Sequence, residues 1–543
     1  MLSAIVVFSV IALVMGYRIY GKWLSLYFLR NTEEELPSTY LRDDMDYFPS
    51  PLSMLFAHHF SSIAGAGAIV GPVVAASMFG WFPVLIWIVA GSILVGGVHD
   101  MSALAMSLKF DGLSIAEVVE RIMGRKVHSV LLLVFWVVNV LFVASFMDLT
   151  ADCFVEAPAV GFAVTITIIC ALLLGAGLYV FHLRLSHVTV LLLPLLVYAL
   201  YYGAYDEEIY RFFSWNVDQW RVFLVVYIYL ASVLPGWLLL EPRDYLASFF
   251  IYGGILVGAA GMFMVGFDSP VYMLQPFNGF VSEIGNKPLW PILFVTVACG
   301  AVSGAHSMIS SGTTPKQLAE KKDVLFVGYG SMLLEALVGV IALGTVMLNG
   351  EFIAQSPLNC FAVGFGRMAK ALGFSHHMGS VMGFMVLNCF VLTTLDTMTR
   401  IGRYLLQEIS HNRLSAFMAT ALTLAGAIGL ILLQNNGMKM WQTIWPILGS
   451  ANQLIAAITL MVVCLWLVSN KSSNIKFVVL PAVFMLITSV SAMFMMTGEG
   501  SAFAVRAAAV LLLILTVALL WSINKKANLV KLVKDFIARV EGN

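Results

Sequence analysis

The sequence predicts an all-α polytopic membrane protein. Of its 543 residues, 60% are hydrophobic and only 11% are charged, whereas a soluble domain carries about 25% charged residues. A chain of this composition has too little polar surface to cover its apolar side chains in water. It therefore does not fit a cytosolic enzyme or a secreted disulfide scaffold. The balance of 30 Lys+Arg against 30 Asp+Glu provides no basic field for a nucleic acid.

A helix that crosses a bilayer needs about 20 mainly apolar residues, and this criterion predicts about 15 transmembrane helices. They begin near residues 2, 55, 82, 129, 160, 187, 221, 248, 291, 325, 379, 415, 445, 477 and 502. The first has neither a basic leading region nor a cleavage motif before Arg18. We therefore expect it to be a retained span rather than a signal peptide.

The distribution of basic residues predicts the orientation of the chain. Cytoplasmic loops of membrane proteins carry an excess of Lys and Arg. If the N-terminus lies outside and the spans alternate, most basic residues fall on the cytoplasmic side, as does the C-terminus. The exceptions are Arg211, Arg221, Lys287, Arg367, Lys370, Lys439 and Arg506. One missed span would disrupt this partition, so the asymmetry supports the predicted topology.

On this topology the chain divides into five regions. Residues 1–53 hold the first span and a cytoplasmic linker, and residues 54–350 form a core. Residues 351–378 are expected to form an extracytoplasmic interfacial or re-entrant segment, with a further span as the alternative. Residues 379–523 form a C-terminal five-helix bundle. Residues 524–543 are predicted to be an amphipathic cytoplasmic tail, because its basic residues suit the anionic inner leaflet.

Two predicted spans, the second and the ninth, are interrupted by small and polar residues. The second reads His58-His59-Phe60-Ser61-Ser62-Ile63-Ala64-Gly65-Ala66-Gly67 and reaches Pro72, and the ninth reads Ser303-Gly304-Ala305-His306-Ser307-Met308-Ile309-Ser310 and reaches Pro315. Gly and Pro weaken helix interiors. An odd number of spans separates the two, so they cross the membrane in opposite directions. Interrupted helices at corresponding positions of inverted repeats are typical of the binding site of a transporter.

These interruptions define the candidate substrate site. Half-helix N-termini offer free N–H groups to an anion, and the polar side chains recur at intervals of three and four residues, on one face of each helix. The predicted substrate-binding residues are His58, His59, Ser61, Ser62, Gly65, Gly67, Ser303, Gly304, His306, Ser307 and Ser310. The alternative is that the small residues only allow close helix packing and that the histidines are hydrogen-bonded packing residues.

A few ionisable and polar residues lie deep within predicted spans. A charge at the bilayer centre costs about 2.5–3.5 kcal/mol on insertion scales, so it suggests a function. Glu335 lies near the middle of the tenth span, and Asp100 follows His99 in the third. We expect these three residues to couple transport to protons; a hydrogen-bonded structural role is the alternative. Asn452 and Gln453 are further polar candidates.

Two charged groups near the ends of spans are predicted to form gates. Asp396 and Arg400 lie four residues apart in the eleventh span, and Glu241, Arg243 and Asp244 are expected in a short turn after the seventh. We interpret Asp396, Arg400, Arg243 and Asp244 as inner-gate or interface ion pairs rather than as substrate ligands.

Several stretches, which follow one another in the same order along the chain, resemble the carbon-starvation protein A (CstA) family of bacterial inner-membrane transporters. They are His58-His59-Phe60 to Gly71-Pro72, Gly97-Val98-His99-Asp100, Pro242 to Leu246, Ser310 to Leu318, Thr393 to Thr397 with Arg400 to Tyr404, and Trp445 to Leu454. The resemblance implies secondary transport of peptides or pyruvate when carbon is scarce. It also implies a LeuT-like inverted-repeat core of the amino acid–polyamine–organocation (APC) superfamily.

The substrate and the coupling ion stay open at this stage. A zwitterionic peptide needs a carboxylate for its amine, whereas pyruvate needs only donors and a proton; Glu335 or Asp100 could serve either purpose. H⁺ is the expected coupling ion, with Na⁺ as the alternative. The sequence has no C-x-x-C pair or zinc spacing, so we expect no metal or cofactor.

Two other classes of protein compete with a carrier. A channel is an alternative, because glycine-broken helices also build selectivity filters. An intramembrane enzyme is disfavoured: H-E-x-x-H is absent, and Ser–His neighbours on one helix rarely reach attack geometry.

Overall fold

The computed structural model describes residues 1–30, 35–43, 46–268, 274–348, 356–432, 439–470, 475–498 and 503–527. The helices of the first half are α1 Leu2–Leu29, α2 Pro37–Tyr40, α3 Leu52–Ile63, α4 Gly67–Phe79, α5 Trp81–Lys109, α6 Ile115–Met123, α7 Arg125–Glu156, α8 Pro158–Tyr179, α9 Leu185–Tyr205, α10 Glu207–Phe213, α11 Val217–Val233 and α12 Leu240–Asp268. A small antiparallel hairpin follows, formed by β1 Val281–Ser282 and β2 Lys287–Pro288.

The second half is also helical. Its elements are α13 Leu289–Thr296, α14 Ala298–Ala301, α15 Gly304–Gly312, α16 Thr314–Gln317, α17 Lys321–Leu348, α18 Pro357–Lys370, α19 His376–Ile409, α20 Ala416–Leu432, α21 Met440–Ser469, α22 Lys476–Met496 and α23 Phe503–Ala527. The all-α architecture predicted from the composition is confirmed.

Eleven helices in the described part of the chain are long and apolar enough to cross a membrane, with α3 and α4 taken together as one. The other predicted spans correspond to α11, to α20, to α23 and to the interrupted series from α13 to α15. α11 and α20 have 17 residues each, the series from α13 to α15 is interrupted, and the apolar part of α23 is limited to Val505–Trp521. The protein is therefore a multi-span membrane protein, and the count of about 15 crossings, judged by helix length, stays a prediction.

The second predicted span is a broken helix. α3 ends at Ile63 and α4 begins at Gly67, and the ψ of 67° at Ala64 is incompatible with a continuous helix. The N–H of Gly65 bonds the carbonyl of Ile63 at 2.7 Å, which makes a tight turn. A Cβ on Gly67 would collide with the sulfur of Cys299, so glycine is needed for this close approach.

The ninth predicted span is broken as well. α14 ends at Ala301, Val302 and Ser303 are extended, with φ of −162° and −135°, and α15 begins at Gly304. A Cβ on Gly304 would overlap the carbonyl oxygen of Asn452 in α21. Both interruptions predicted from the glycine, serine and histidine content are confirmed.

The two broken helices lie side by side in the centre of the bundle. α4 packs along α13, α14 and α17, while α3 packs along α12, α15 and α19. Within the apolar 18-residue stretch of Leu52–Phe79, 89% of the residues are buried. In the corresponding stretch of α9 only 39% are buried. The interrupted helices are therefore enclosed by protein, as broken backbone within a bilayer must be.

Several predicted boundaries differ from the structure. α12 begins at Leu240, not near residue 248, so Glu241, Arg243 and Asp244 lie in its first turns rather than in a connecting turn. The predicted interfacial segment contains α18, which packs against α19, while residues 351–355 fall outside the described part. Most of the predicted tail, 528–543, also falls outside the described residues.

Candidate functional site

The first group of buried polar residues surrounds His306 in α15. Nδ1 of His306 lies 2.9 Å from Oδ2 of Asp100 in α5. Its other nitrogen, Nε2, lies 3.3 Å from Oε2 of Glu335 in α17, within ion-pair distance but not aligned for a hydrogen bond. The other oxygen of Asp100 lies 2.7 Å from Nδ1 of His99. All four side chains are inaccessible to solvent. The structure thus joins the predicted proton-coupling residues to one predicted substrate residue.

This first group has the composition of a proton-exchange site. Two carboxyl groups contact a single imidazole, so a proton can be held by any of three groups. Because an unbalanced charge is costly inside the membrane, gain or loss of one proton changes the electrostatic energy of α5, α15 and α17 together. Nε2 of His99 has no hydrogen-bond partner among the described residues.

The second group surrounds His58 in α3. Nδ1 of His58 lies 2.8 Å from Oδ2 of Asp244 in α12. The guanidinium of Arg243 bonds the other oxygen of Asp244 and also lies 3.5 Å from Oδ2 of Asp396 in α19. The hydroxyl of Tyr227 in α11 donates to the same oxygen of Asp396 at 2.7 Å. This buried chain of contacts joins four helices.

The predicted gate residues are only partly brought together. Asp396 pairs with Arg243 and not with Arg400, although Arg400 is only one helical turn away. Nε of Arg400 donates instead to the hydroxyl of Tyr404 at 3.1 Å. Asp396 thus contacts α11 and α12, while Arg400 lines a cavity, and the role of the four predicted gate residues stays a prediction.

Asn452 in α21 occupies the N-terminus of α15. Its Oδ1 accepts from the backbone N–H of Ala305 at 2.9 Å, and its Nδ2 donates to Oγ of Ser303 at 2.8 Å. In addition, Oγ of Ser307 accepts from the hydroxyl of Thr459 at 2.9 Å. The prediction of bare N–H groups at this helix end is thus not met at Ala305. A small cavity of about 20 Å³, lined by Gly67, Cys299 and Asn452 among others, lies beside the two breaks.

The remaining predicted substrate residues face different neighbours. Nδ1 of His59 lies 2.7 Å from the hydroxyl of Thr314, and Oγ of Ser62 lies 3.1 Å from that of Thr397. The hydroxyl of Ser61 is bonded to its own helix. In the described part of the chain, Nε2 of His59 and Oγ of Ser310 are buried without hydrogen-bond partners.

A larger cavity, of about 290 Å³, lies beside α3 and α15, away from the two breaks. It is lined by His58, Glu241, Met308, Gln317, Thr397 and Arg400 at its inner part. Lys316 and Glu408 also line it, near the ends of α16 and α19. It therefore lies on the side predicted to be cytoplasmic, and its volume is close to the lower end of small-molecule sites, roughly 300–1,000 Å³.

Sequence reasoning missed an ion network that joins α7, α11 and α21 on the side predicted to be outside. In α7, Asp148 pairs with Arg221, and its Oδ2 accepts from the backbone N–H of Trp441 at 3.0 Å. Asp152, one turn further, accepts from the indole of Trp441 at 2.7 Å and lies 3.2 Å from Nζ of Lys439. These contacts tie α7 to α11 and α21. Two acids four residues apart inside an apolar segment were the available signal.

Two broken helices enclosed by other membrane spans, with buried charged groups beside them, are typical of a membrane transporter. The same fold is found in a crystal structure of the Eremococcus coleocola manganese transporter. That chain is 11% identical, with a TM-score of 0.50, and the match covers 90% of this chain and 99% of that one. Among the described residues, no group of three or more His, Cys, Asp or Glu side chains is arranged to hold a metal ion.

The chain belongs to the carbon starvation protein CstA family, whose model matches residues 2–355 and 349–492. It is 32% identical to the peptide transporter CstA of Escherichia coli, over 90% of this chain and 80% of that protein. It is 31% identical to the peptide transporter CstA of Campylobacter jejuni, over 89% and 79%. It is also 30% identical to the pyruvate/proton symporter BtsT of E. coli, over 89% and 80%. The family resemblance noted from the motifs is confirmed.

Proposed function

We propose that this protein is a secondary active transporter that imports short peptides, pyruvate or both, together with protons. The similar proteins whose names state a substrate include both peptide transporters and a pyruvate/proton symporter. The predicted setting is a bacterial inner membrane, with the N-terminus outside and the C-terminus in the cytoplasm. Two discontinuous helices, which the predicted topology orients in opposite directions, support a LeuT-like inverted-repeat core.

One observation supports the proposed coupling of transport to protons. His306 lies in a broken helix and contacts Asp100 and Glu335 through its two ring nitrogens. These contacts connect three helices at the centre of the bundle, where protonation of one group weakens or strengthens the attraction between them. A proton bound here therefore changes the relative stability of two helix arrangements, and a gradient can drive the change.

The arrangement of cavities supports a conformation that is open to the cytoplasm. The large cavity reaches His58 from the predicted cytoplasmic side. On the side predicted to be outside, the contacts of Asp148 and Asp152 hold α7 to α11 and α21. We propose that these outer contacts break, and that the cavity closes, when the transporter exposes its site to the outside. The contacts of Arg243 with Asp244 and Asp396 would keep α12 and α19 together during that movement.

Uptake into proteoliposomes tests the proposed function. The purified protein is reconstituted and given labelled dialanine or labelled pyruvate, with and without an inward proton gradient. We expect saturable uptake of at least one substrate and accumulation only with the gradient. Uptake that is unaffected by the gradient would contradict proton coupling. Large unitary currents in planar bilayers would instead indicate a channel.

A further inference from the structure

The large cavity contains an arginine, Arg400, that has no carboxylate in direct contact. Nε of Arg400 donates to Tyr404, but its Nη1 is buried without a hydrogen-bond partner, and no carboxylate in the described part of the chain lies within 4.0 Å of the guanidinium. Gly236 lies against this group, since a Cβ there would come 2.9 Å from Nη1. The glycine thus makes room for the arginine. Arg400 is half-buried, and a charge withdrawn from water without a counter-ion in contact is costly.

The same cavity contains a carboxylate, Glu241, that has no cation in direct contact. Glu241, in the first turn of α12, is only 6% exposed. Nε2 of Gln317 donates to its Oε1 at 3.1 Å. No Lys, Arg or His nitrogen among the described residues lies within 4.0 Å of Glu241. His58 and Arg400 act on Glu241 only from a distance, and His58 is in contact with Asp244 instead.

Two opposite charges therefore line one cavity near enough to attract each other, but without direct contact within 4.0 Å. A guanidinium presents a planar fork of donors that matches a carboxylate, and a carboxylate accepts well from an ammonium group. An occupant with both groups would satisfy both side chains at once. A monocarboxylate such as pyruvate would satisfy Arg400 and leave Glu241 unpaired, and leaving a buried polar group unpaired reduces affinity.

We propose that Arg400 and Glu241 form a two-point binding site for an amino-acid or peptide zwitterion. Arg400 binds the carboxylate of the ligand and Glu241 binds its ammonium group. The inference rests on the proposed transport function for its purpose, but the binding site can be tested without transport. It also assigns Arg400 to substrate rather than to an ion-pair gate. The cavity of about 290 Å³ has room for a short peptide.

Competition binding on the detergent-purified protein tests the site. The probe is labelled dialanine, and the competitors are dialanine, N-acetyl-dialanine, dialanine amide, alanine and pyruvate. We expect the two blocked peptides and pyruvate to compete at least about tenfold more weakly than dialanine, because each leaves one buried charge unpaired. Comparison of alanine with dialanine shows whether an amino acid or a peptide is the better ligand.

Two variants assign the groups. In Glu241→Gln, N-acetyl-dialanine should compete as well as dialanine, and in Arg400→Gln the same should hold for dialanine amide. These are ratios within one sample, so a partly unfolded variant does not distort them. Glu320→Gln and Arg413→Gln remove exposed charges of the same types and should keep the wild-type ratios.

The outcomes separate this inference from the proposed function. Equal competition by pyruvate and dialanine, absence of dialanine binding, or unchanged ratios in Glu241→Gln and Arg400→Gln would each overturn the two-point site. Such results would leave gradient-driven uptake, measured separately, unaffected. Binding with the expected ratios but without any uptake in proteoliposomes would support the site and contradict the transport function.

Discussion

Nδ1 of His306 lies 2.9 Å from Oδ2 of Asp100, although 206 positions separate the two residues in the chain. This contact joins a half-helix to a continuous span, and Glu335 approaches the same imidazole from a third helix. Because the group links the interrupted helix to its surroundings, we propose that a proton gradient acts on the fold through its protonation.

Replacement of Glu335 by glutamine should uncouple uptake from the proton gradient. The amide keeps the shape of the side chain but cannot exchange a proton. Gradient-driven accumulation should fall by roughly 5- to 150-fold, the factor that common coupling free energies between two sites correspond to. Exchange of labelled for unlabelled substrate should continue. Both are measured in proteoliposomes, with Glu320→Gln as the matched control. Wild-type accumulation by Glu335→Gln would remove Glu335 from the coupling mechanism.

Replacement of Arg243 by methionine should destabilise the protein strongly. It leaves Asp244 and Asp396 buried without their cation, and loss of one partner of a buried pair costs about 3–5 kcal/mol. Thermal unfolding in detergent should show a lowered midpoint. The double variant Arg243→Met with Asp396→Asn should recover part of the loss, because Tyr227 can still donate to the amide oxygen. Equal stability of the single and double variants would argue against the pair.

Replacement of Asn452 by alanine should weaken the start of α15. The backbone N–H of Ala305 and the hydroxyl of Ser303 both lose their partner, at a cost of about 0.5–2 kcal/mol for a lost helix cap. Asn452→Asp keeps the acceptor for Ala305 and should be less damaging. Asn359→Ala, which removes a contact with Glu156 near the surface, serves as control in the same unfolding measurement. A smaller effect at Asn452 than at Asn359 would contradict the capping role.

Two glycine-to-alanine substitutions should have opposite effects on the midpoint of thermal unfolding. At Gly304 the added methyl group overlaps the backbone of Asn452, and such overpacking costs about 1–3 kcal/mol. At Gly253, in α12, a Cβ would meet nothing within 4 Å, so the better helix propensity of alanine should stabilise by up to about 1 kcal/mol. Destabilisation of the same size at both positions would show that the close approach at Gly304 is unimportant.

Cysteine labelling should establish the orientation of the chain. Arg413 lies in the connection after α19, and Lys287 lies in the β-hairpin before α13. In a Cys464→Ala background, which leaves only buried native thiols, a membrane-impermeant maleimide should react with Lys287→Cys in intact cells. It should react with Arg413→Cys only after the membrane is opened. The reverse pattern would overturn the predicted topology.

The interrupted helices could be predicted because their cause is local. Glycine, serine and histidine cluster within a few residues of Gly65 and of Gly304, and such residues weaken a helix wherever it packs. The membrane setting was equally predictable from composition. These features depend on neighbours in the chain, which a single sequence displays directly.

The partners of the buried charges could not be predicted in the same way. His58 contacts Asp244 across 186 positions, and no periodicity in the sequence encodes that distance. Arg400 lies one turn from Asp396 on the same helix face, so the sequence favours a pair. In the structure, however, Asp396 contacts Tyr227 and Arg243, while Arg400 donates to Tyr404. Contacts of this kind depend on how the helices are arranged around one another.

The hydrogen bonds of Asn452 to the start of α15 have a mechanical consequence. The same side chain belongs to a helix of 30 residues, which at 1.5 Å per residue is about 45 Å long. A slight tilt at the short half-helix would thus be carried along a rod that reaches from one face of the bilayer to the other. A displacement of α21 too small to disturb the packing at the centre of the bundle would then become larger at the ends of the helix, where it could open the bundle.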